Sequence, residues 1–184
     1  QAKIIILEGG PKILPMCPDK LSHSALRQLQ TLGIEVRCNS RVTNITEHEV
    51  EVNGEKLNAY TILWAAGNTA SPLGKSLGVP LDRTGRVIVN EDLTVPGHPE
   101  IQVIGDLACF SHQGGKPLPA VAQPAIQQGK HAARNIKALI KRKSPAPFRY
   151  FDMGDMATIG RNRAIADLHF AQFSGFIAWL IWLF

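Results

Sequence analysis

Three small sets of polar residues in this sequence stand where a chain can do chemistry. Asp106 follows Gly105 at the end of the apolar run in "IQVIGD". A glycine there lets a ligand approach the backbone, and the carboxylate can accept hydrogen bonds from hydroxyls held above the strand end. A polyol fits, such as the ribityl chain of a flavin; an Asx turn or helix cap closing the strand accounts for the same two residues. Glu8 follows the apolar run "KIIIL", where dinucleotide-binding folds place the acid that holds the ribose hydroxyls of NAD. A solvated strand-end glutamate is the alternative. Gln123 and Gln127, four residues apart, share one face near the start of a helix. Amides there donate and accept without bringing charge, while the positive pole of the helix favours an anion, such as an electron-rich flavin ring, in front of it. Glutamines facing water are the plain alternative.

The elements that must position these residues can be read from periodicity. "KIIILEGG" predicts a strand over Lys3 to Leu7, buried on both faces of a parallel sheet. In "PDKLSHSALRQLQTLG", Leu21, Ala25, Leu29 and Leu32 fall on one helical face and Gly33 stands where a helix stops. With "IEVRC" as the next strand, this is a β-α-β unit. "VTNITEHEVEV" and "EKLNAYTILWAAG" read as strands joined through Asn53-Gly54, a strong hairpin signal. Asn68 to Asp82, rich in glycine, proline and serine, marks a crossing between subdomains. "GRVIVNEDLTV" and "IQVIGD" supply two more strands, and Ala120 to Leu139 a long helix whose Pro124 falls in the first turn, where its missing N–H costs little. Lys137, Lys141, Arg142 and Lys143 lead into "SPAPFRY", read as a linker. "MATIGRNRAIADL" gives two short strands around Gly160 to Asn162, and Ser174 is the expected N-cap of a final helix from Gly175 that is apolar on every side.

Bulk properties narrow the function. The chain has 184 residues, a net charge of +5 and only 19% charged residues, a surplus too modest for a nucleic-acid binder. Cys17, Cys38 and Cys109 lie far apart with no C-x-x-C, which argues for ordinary thiols in a reducing compartment. Six histidines are scattered too widely to propose a zinc or other metal site. The apolar stretch Phe173 to Phe184 is shorter than the roughly 20 residues of a membrane span, and reads as either a core helix or a membrane-surface helix. The sequence opens without methionine directly into a strand and closes inside "WLIWLF", so a fragment of a longer protein is expected.

The order of these motifs is more specific than any one of them. Glu8 after a strand, "WAAG" at Trp64 to Gly67, "GRVIVNEDLTV", "VIGDLA", "LPAVAQPAIQQGKHAARNI", "FDMGDMATIGRNRAIADL" and "SGFIAWLIWLF" together resemble the carboxyl-terminal half of type II NADH dehydrogenases. "VIGDLA" marks only the wider superfamily of flavoproteins with two dinucleotide-binding domains; "AQPAIQQG", "MATIGR" and "SGFIAWLIWLF" narrow it. The resemblance implies an α/β fold: parts of two Rossmann-like dinucleotide-binding domains followed by the start of a small α+β domain. Residues 1–66 would be the later part of an NADH-binding domain, 67–143 the carboxyl-terminal part of an FAD-binding domain, and 144–184 the start of a domain facing quinone and membrane.

By the same resemblance Glu8 holds the adenosine ribose of NADH, Ala66 and Gly67 line the dinucleotide cleft, and Gly105 and Asp106 meet the ribityl chain of FAD. Ala122 and Gln123 touch the isoalloxazine ring, and Gln123 with Gln127 borders the quinone pocket. The implied activity is that of a respiratory-chain oxidoreductase. It passes a hydride from NADH to flavin and then two electrons to a membrane quinone without proton pumping, on the cytoplasmic face of an inner or plasma membrane or its organelle equivalent. A homodimer is a candidate assembly. Where the family often has a lysine before "ATIGR", this sequence has Met153, so no lysine stands there to deliver a proton. The glycine-rich phosphate loops are absent from the sequence, so the segment alone is expected to bind either cofactor poorly. Two other readings remain open: a related flavoprotein such as a sulfide:quinone reductase, which uses cysteines near the flavin, and a non-catalytic, membrane-attached module with an inherited dinucleotide fold.

Overall fold

The computed structural model describes residues 3 to 183. In chain order they form β1 (Ile5–Leu7), α1 (Asp19–Thr31), β2 (Glu35–Arg37), β3 (Val42–Ile45), β4 (Glu49–Val52) and β5 (Glu55–Asn58). Next come α2 (Leu73–Ser76), β6 (Val87–Ile88), β7 (Thr94–Val95) and β8 (His98–Gln102). A single 3-10 turn, Gly105–Leu107, leads into β9 (Ala108–Cys109), and the long helix α3 covers Ala122–Ile140. β10 (Asp155–Gly160), β11 (Arg163–Asp167), β12 (Gln172–Gly175) and α4 (Phe176–Leu183) follow. The expected last residue of that helix, Phe184, lies outside the described residues. The elements gather into two compact units, one running up to Ala65 and resuming at Met153, the other Ala66–Asp152.

In the first unit β1 pairs in parallel with β2, with α1 crossing between them, so the β-α-β reading holds. Leu21 and Ala25 are buried, while Leu32 has become the exposed C-cap beside Gly33, whose φ of +80° closes the helix. The strand itself differs from expectation. It starts at Ile5, its residues are half-buried and Ile4 is exposed, in a sheet that has two strands among the described residues. Asn53 and Gly54 both take positive φ, as a type I′ turn requires, and join β4 to β5 with Val50 and Val52 facing inward. The second expected strand ends early: Glu55–Asn58 pairs, whereas Tyr60, Leu63 and Trp64 are exposed and outside any ladder. Strand propensity describes fitness for a half-buried surface, and no neighbouring strand here provides one.

β10, β11 and β12 make an antiparallel sheet in the same unit, turning at Asn162 with φ +62°. Its central strand buries Ala164, Ile165 and Ala166. Ser174 is not an N-cap. It lies in β12 opposite Ile165, and α4 begins two residues later, after Gly175 has turned the chain at φ +72°. Ala178 of α4 packs with Ala164 and Ala166, while Phe176, Ile177, Leu180, Trp182 and Leu183 are exposed. No helix among the described residues is long and apolar enough to cross a membrane.

The core of the second unit is Val87, Val89, Leu93, Val95, Val103, Ala108, Phe110 and Phe148. β6 pairs in parallel with β9, and β7 forms a hairpin with β8. Pro124 is the third residue of α3 and is buried, so its missing N–H falls among those no helix can satisfy internally. The stretch read as a linker is instead built into this unit. Phe148 is buried edge-on to Phe110 and His131, and its N–H donates to Glu91 O at 2.7 Å. Asn135 holds Ala146 through both amide groups, at 2.9 and 3.0 Å.

Candidate functional site

The turn carrying Asp106 is set by its neighbours in the second unit. Val103 N–H donates to Leu93 O, which carries the strand register past β8, and Gly105 then reverses the chain at φ +67°. That conformation costs an L-residue steric strain that glycine avoids. The Gly105 N–H donates to Oε1 of Gln128 at 2.6 Å, and a Cβ at position 105 would touch that of Ala125 at 3.5 Å. The turn is therefore docked on the opening turns of α3. Gln128 is 2% exposed, so its amide is a buried structural bolt.

Asp106 itself is exposed, and its carboxylate has no hydrogen-bond or ion-pair partner among the described residues. The Asx-turn alternative is thus not what the turn adopts. Val121, extended at the N-cap of α3, supplies no side-chain cap, which leaves the positive pole of the helix open to an electron-rich group. A bare glycine, a carboxylate without local donors and an uncapped helix end suit a hydroxylated cofactor with an electron-rich ring. Gly105, Asp106, Ala122 and Gln123 are the residues here that could hold it.

The two glutamines do different things. Gln127 Nε2 donates to Phe151 O at 2.8 Å and its Oε1 accepts from Phe151 N–H at 2.9 Å, so its amide is committed to the backbone. Oε1 of Gln123 meets the Tyr150 hydroxyl at 3.5 Å, a long contact. Neither is simply a solvated helix residue. Ala122, the first residue of α3, is exposed, as are Ala66 and Gly67; Gly67 has a φ of +102°.

Glu8 belongs to the first unit. Its N–H donates to Arg37 O, its carbonyl accepts from Ser40 N–H, and its Oε1 accepts from Gly10 N–H at 2.7 Å. A Cβ at Gly10 would come within 3.1 Å of that oxygen, so the glycine is what allows the acid to fold back on its own turn. The structure brings Gly105 and Asp106 together with the start of α3; Glu8 is set separately in its own unit.

Several contributors were not legible from motif alone. Gln128, His131 and Asn135 follow buried Pro124 at spacings of four, three and four, and all are buried. That periodicity marks polar residues on the core face of α3 and was the available signal. Gln113, in a turn after β9, repeats the behaviour of Gln127: its Nε2 donates to Tyr150 O and its Oε1 accepts from Tyr150 N–H, both at 2.9 Å. Cys109 is buried, and its thiol is pushed up first by burial and then by the charge of Asp82. Cys17 is pushed up by burial and then by Asp155 and Asp167. Both are held as neutral thiols, which weighs against a cysteine-based reaction.

Two hollows are open and shallow. One of about 380 Å³ is lined by Thr158, Arg161, Trp179 and Trp182 among others in the first unit. The other, about 470 Å³, is lined by Asn90, Glu91, Asp92, His112, Pro145 and Pro147 in the second. Neither includes Asp106 or the start of α3.

Residues 1–129 match the pyridine nucleotide-disulphide oxidoreductase family. A type II NADH:quinone oxidoreductase of Mycobacterium tuberculosis is 40% identical over the whole chain, which spans 41% of that relative. One from Staphylococcus aureus is 37% identical over 90% of the chain and 42% of its own length. The chain thus spans about two fifths of the curated relatives it matches. Among solved structures, NDH2 from Plasmodium falciparum in complex with NADH shares the fold, with a TM-score of 0.84 at 18% identity, covering 98% of this chain and 54% of that one. An NAD-dependent persulfide reductase from A. fulgidus has a TM-score of 0.74 at 20% identity, covering 89% of this chain and 31% of that one. The chain belongs to the pyridine nucleotide-disulphide oxidoreductase family, and its curated sequence relatives are type II NADH:quinone oxidoreductases.

Proposed function

We propose that this chain is part of a flavoenzyme that oxidises NADH and reduces a membrane quinone without pumping protons, from a peripheral position on the membrane. When bound, FAD supplies the two-electron chemistry between the two substrates; the protein supplies orientation and electrostatics. In this reading residues 1–66 are the later part of the NADH-binding domain, 67–143 part of the FAD-binding domain, and 144–184 the start of the quinone- and membrane-facing domain, its first residues up to Asp152 packing within the second unit.

Asp106 accepts ribityl hydroxyls over the bare backbone of Gly105. Ala122 and Gln123, at the positive end of α3, border the ring; Gln123 and Gln127 serve the quinone side. Glu8 holds the adenosine ribose of NADH, and Ala66 and Gly67 line the cleft. The observation that carries the proposal is the exposed Asp106 carboxylate, free of local donors on a turn that Gln128 docks against an uncapped helix.

The test is made on the full-length protein. Bound flavin absorbance and NADH-driven quinone reduction are the expected results. Quinone reduction driven by sulfide and not by NADH would assign a different reaction, and a colourless protein that cannot be reconstituted with FAD would point to a non-catalytic module.

A further inference from the structure

Gln127 and Gln113 reach Tyr150–Phe151 from different elements and grip it in the same way. Each amide engages both backbone groups of a single residue, the pattern of one rung of an antiparallel ladder. Successive residues are gripped by different amides, as the two edges of a strand would be. The segment has no strand neighbour of its own; Asn135 at Ala146 and the Phe148 N–H bond to Glu91 O anchor it further upstream. What the clamp sets in place is Tyr150, whose ring packs on the core and whose hydroxyl meets Gln123 Oε1.

We propose that Gln113 and Gln127 act together as positioning residues. They hold Tyr150 and Phe151 from two sides and, through the Tyr150 hydroxyl, set the orientation of Gln123 at the amino end of α3. This rests on the reading of Gln123 as part of the acceptor side. Gln127 then acts on the quinone reaction through the backbone it holds, and Gln113, in a solvent-exposed turn with no assigned role, matters as much.

The experiment uses full-length protein with Gln113→Met, Gln127→Met and Tyr150→Phe. Methionine keeps the length and removes both amide functions. Hydrogen exchange at the Tyr150 and Phe151 amides, read on the resting protein, should rise about tenfold in either methionine variant, because each amide supports the same segment. Both variants should raise the quinone KM by about fivefold and leave the NADH KM and flavin content unchanged, and the double variant should fall short of the product of the two effects. Tyr150→Phe leaves the clamp intact, so it should keep the exchange protection and still raise the quinone KM.

Unchanged exchange in both methionine variants overturns the clamp. A quinone KM that responds to Gln127→Met but not to Gln113→Met assigns Gln127 direct contact and also overturns it. An unchanged KM in Tyr150→Phe breaks the link to Gln123. Since exchange needs no turnover, an enzyme with no NADH:quinone activity would refute the assigned reaction while the exchange result still decides the clamp.

Discussion

Asp82 and Asp106 both lie in turns of the second unit that carry a glycine with positive φ, and their surroundings are opposite. Asp82 accepts from Thr84 N–H and Oγ1, from Arg86 N–H and, through its second oxygen, from Arg86 Nε, all within 2.9 Å. Arg86 in turn donates to Leu118 O. Asp106 accepts nothing among the described residues. A carboxylate surrounded by its own donors is part of how a turn folds; one left without them on a rigid turn is available to something that arrives later. Burial opposes ionisation of Asp82, but the bonds from Arg86 and Thr84 outweigh it and hold the carboxyl well below the usual carboxylate range.

The largest test of this contrast is Asp106→Ala in the full-length protein. Loss of charge-assisted bonds to a hydroxylated cofactor should weaken FAD binding by about 10- to 100-fold, measured by equilibrium dialysis, with an unchanged melting temperature of the flavin-free protein. If flavin affinity stays and stability drops, the contrast is inverted.

Asp82→Ala should do the reverse, costing about 2–3 kcal/mol in denaturant unfolding by stranding a largely buried Arg86, with flavin affinity held. The pH dependence has a fixed sign. Because the folded-state pKa of Asp82 is depressed, its contribution is fully present above the unfolded value near about 4 and is lost as pH falls from there towards the folded value. Wild type should therefore lose more stability than Asp82→Ala across that acid window; parallel curves would falsify the assignment.

Gly105→Ala should cost about 1 kcal/mol, from backbone strain at φ +67° and not from crowding, since the nearest atom would be in ordinary contact. A cost above that of Asp82→Ala would mean that the Gln128 bolt, not the glycine, dominates the turn. The smallest effect is chemical. A thiol reagent near neutral pH should label Cys38, which is partly exposed, well before the buried Cys17 and Cys109. Prompt labelling of Cys109, read by mass spectrometry, would contradict a closed core beside Asp82.

What could be read from sequence was what local signals determine. Asn53-Gly54 fixes its hairpin because both residues readily take the positive φ values that a type I′ turn needs, and Gly33 stops α1 for the same kind of reason. Gly105-Asp106 was legible as a turn with a spare acid. The segment from Ala146 to Phe151 was not. It contains a proline and an arginine and looks like a connection, and its order comes from Gln113, Gln127 and Asn135, up to 37 residues away. Ser174 misled for a related reason. A serine before an apolar run is a cap only if the chain stops pairing there, and pairing with Ile165 continues to it. "YTILWAA" has the composition of a strand but no ladder to join.

Three alanines determine how α4 meets water. Ala164, Ala166 and Ala178 form the buried centre where α4 meets the sheet, with Met156, Phe173 and Trp179 packed around them, and the other large side chains of the helix lie outside that contact. Phe176, Ile177, Trp182 and Leu183 are thereby displayed on a scaffold that is already folded. An oily surface meeting this face would find its backbone already ordered, so association there forfeits little chain freedom beyond that of the side chains themselves.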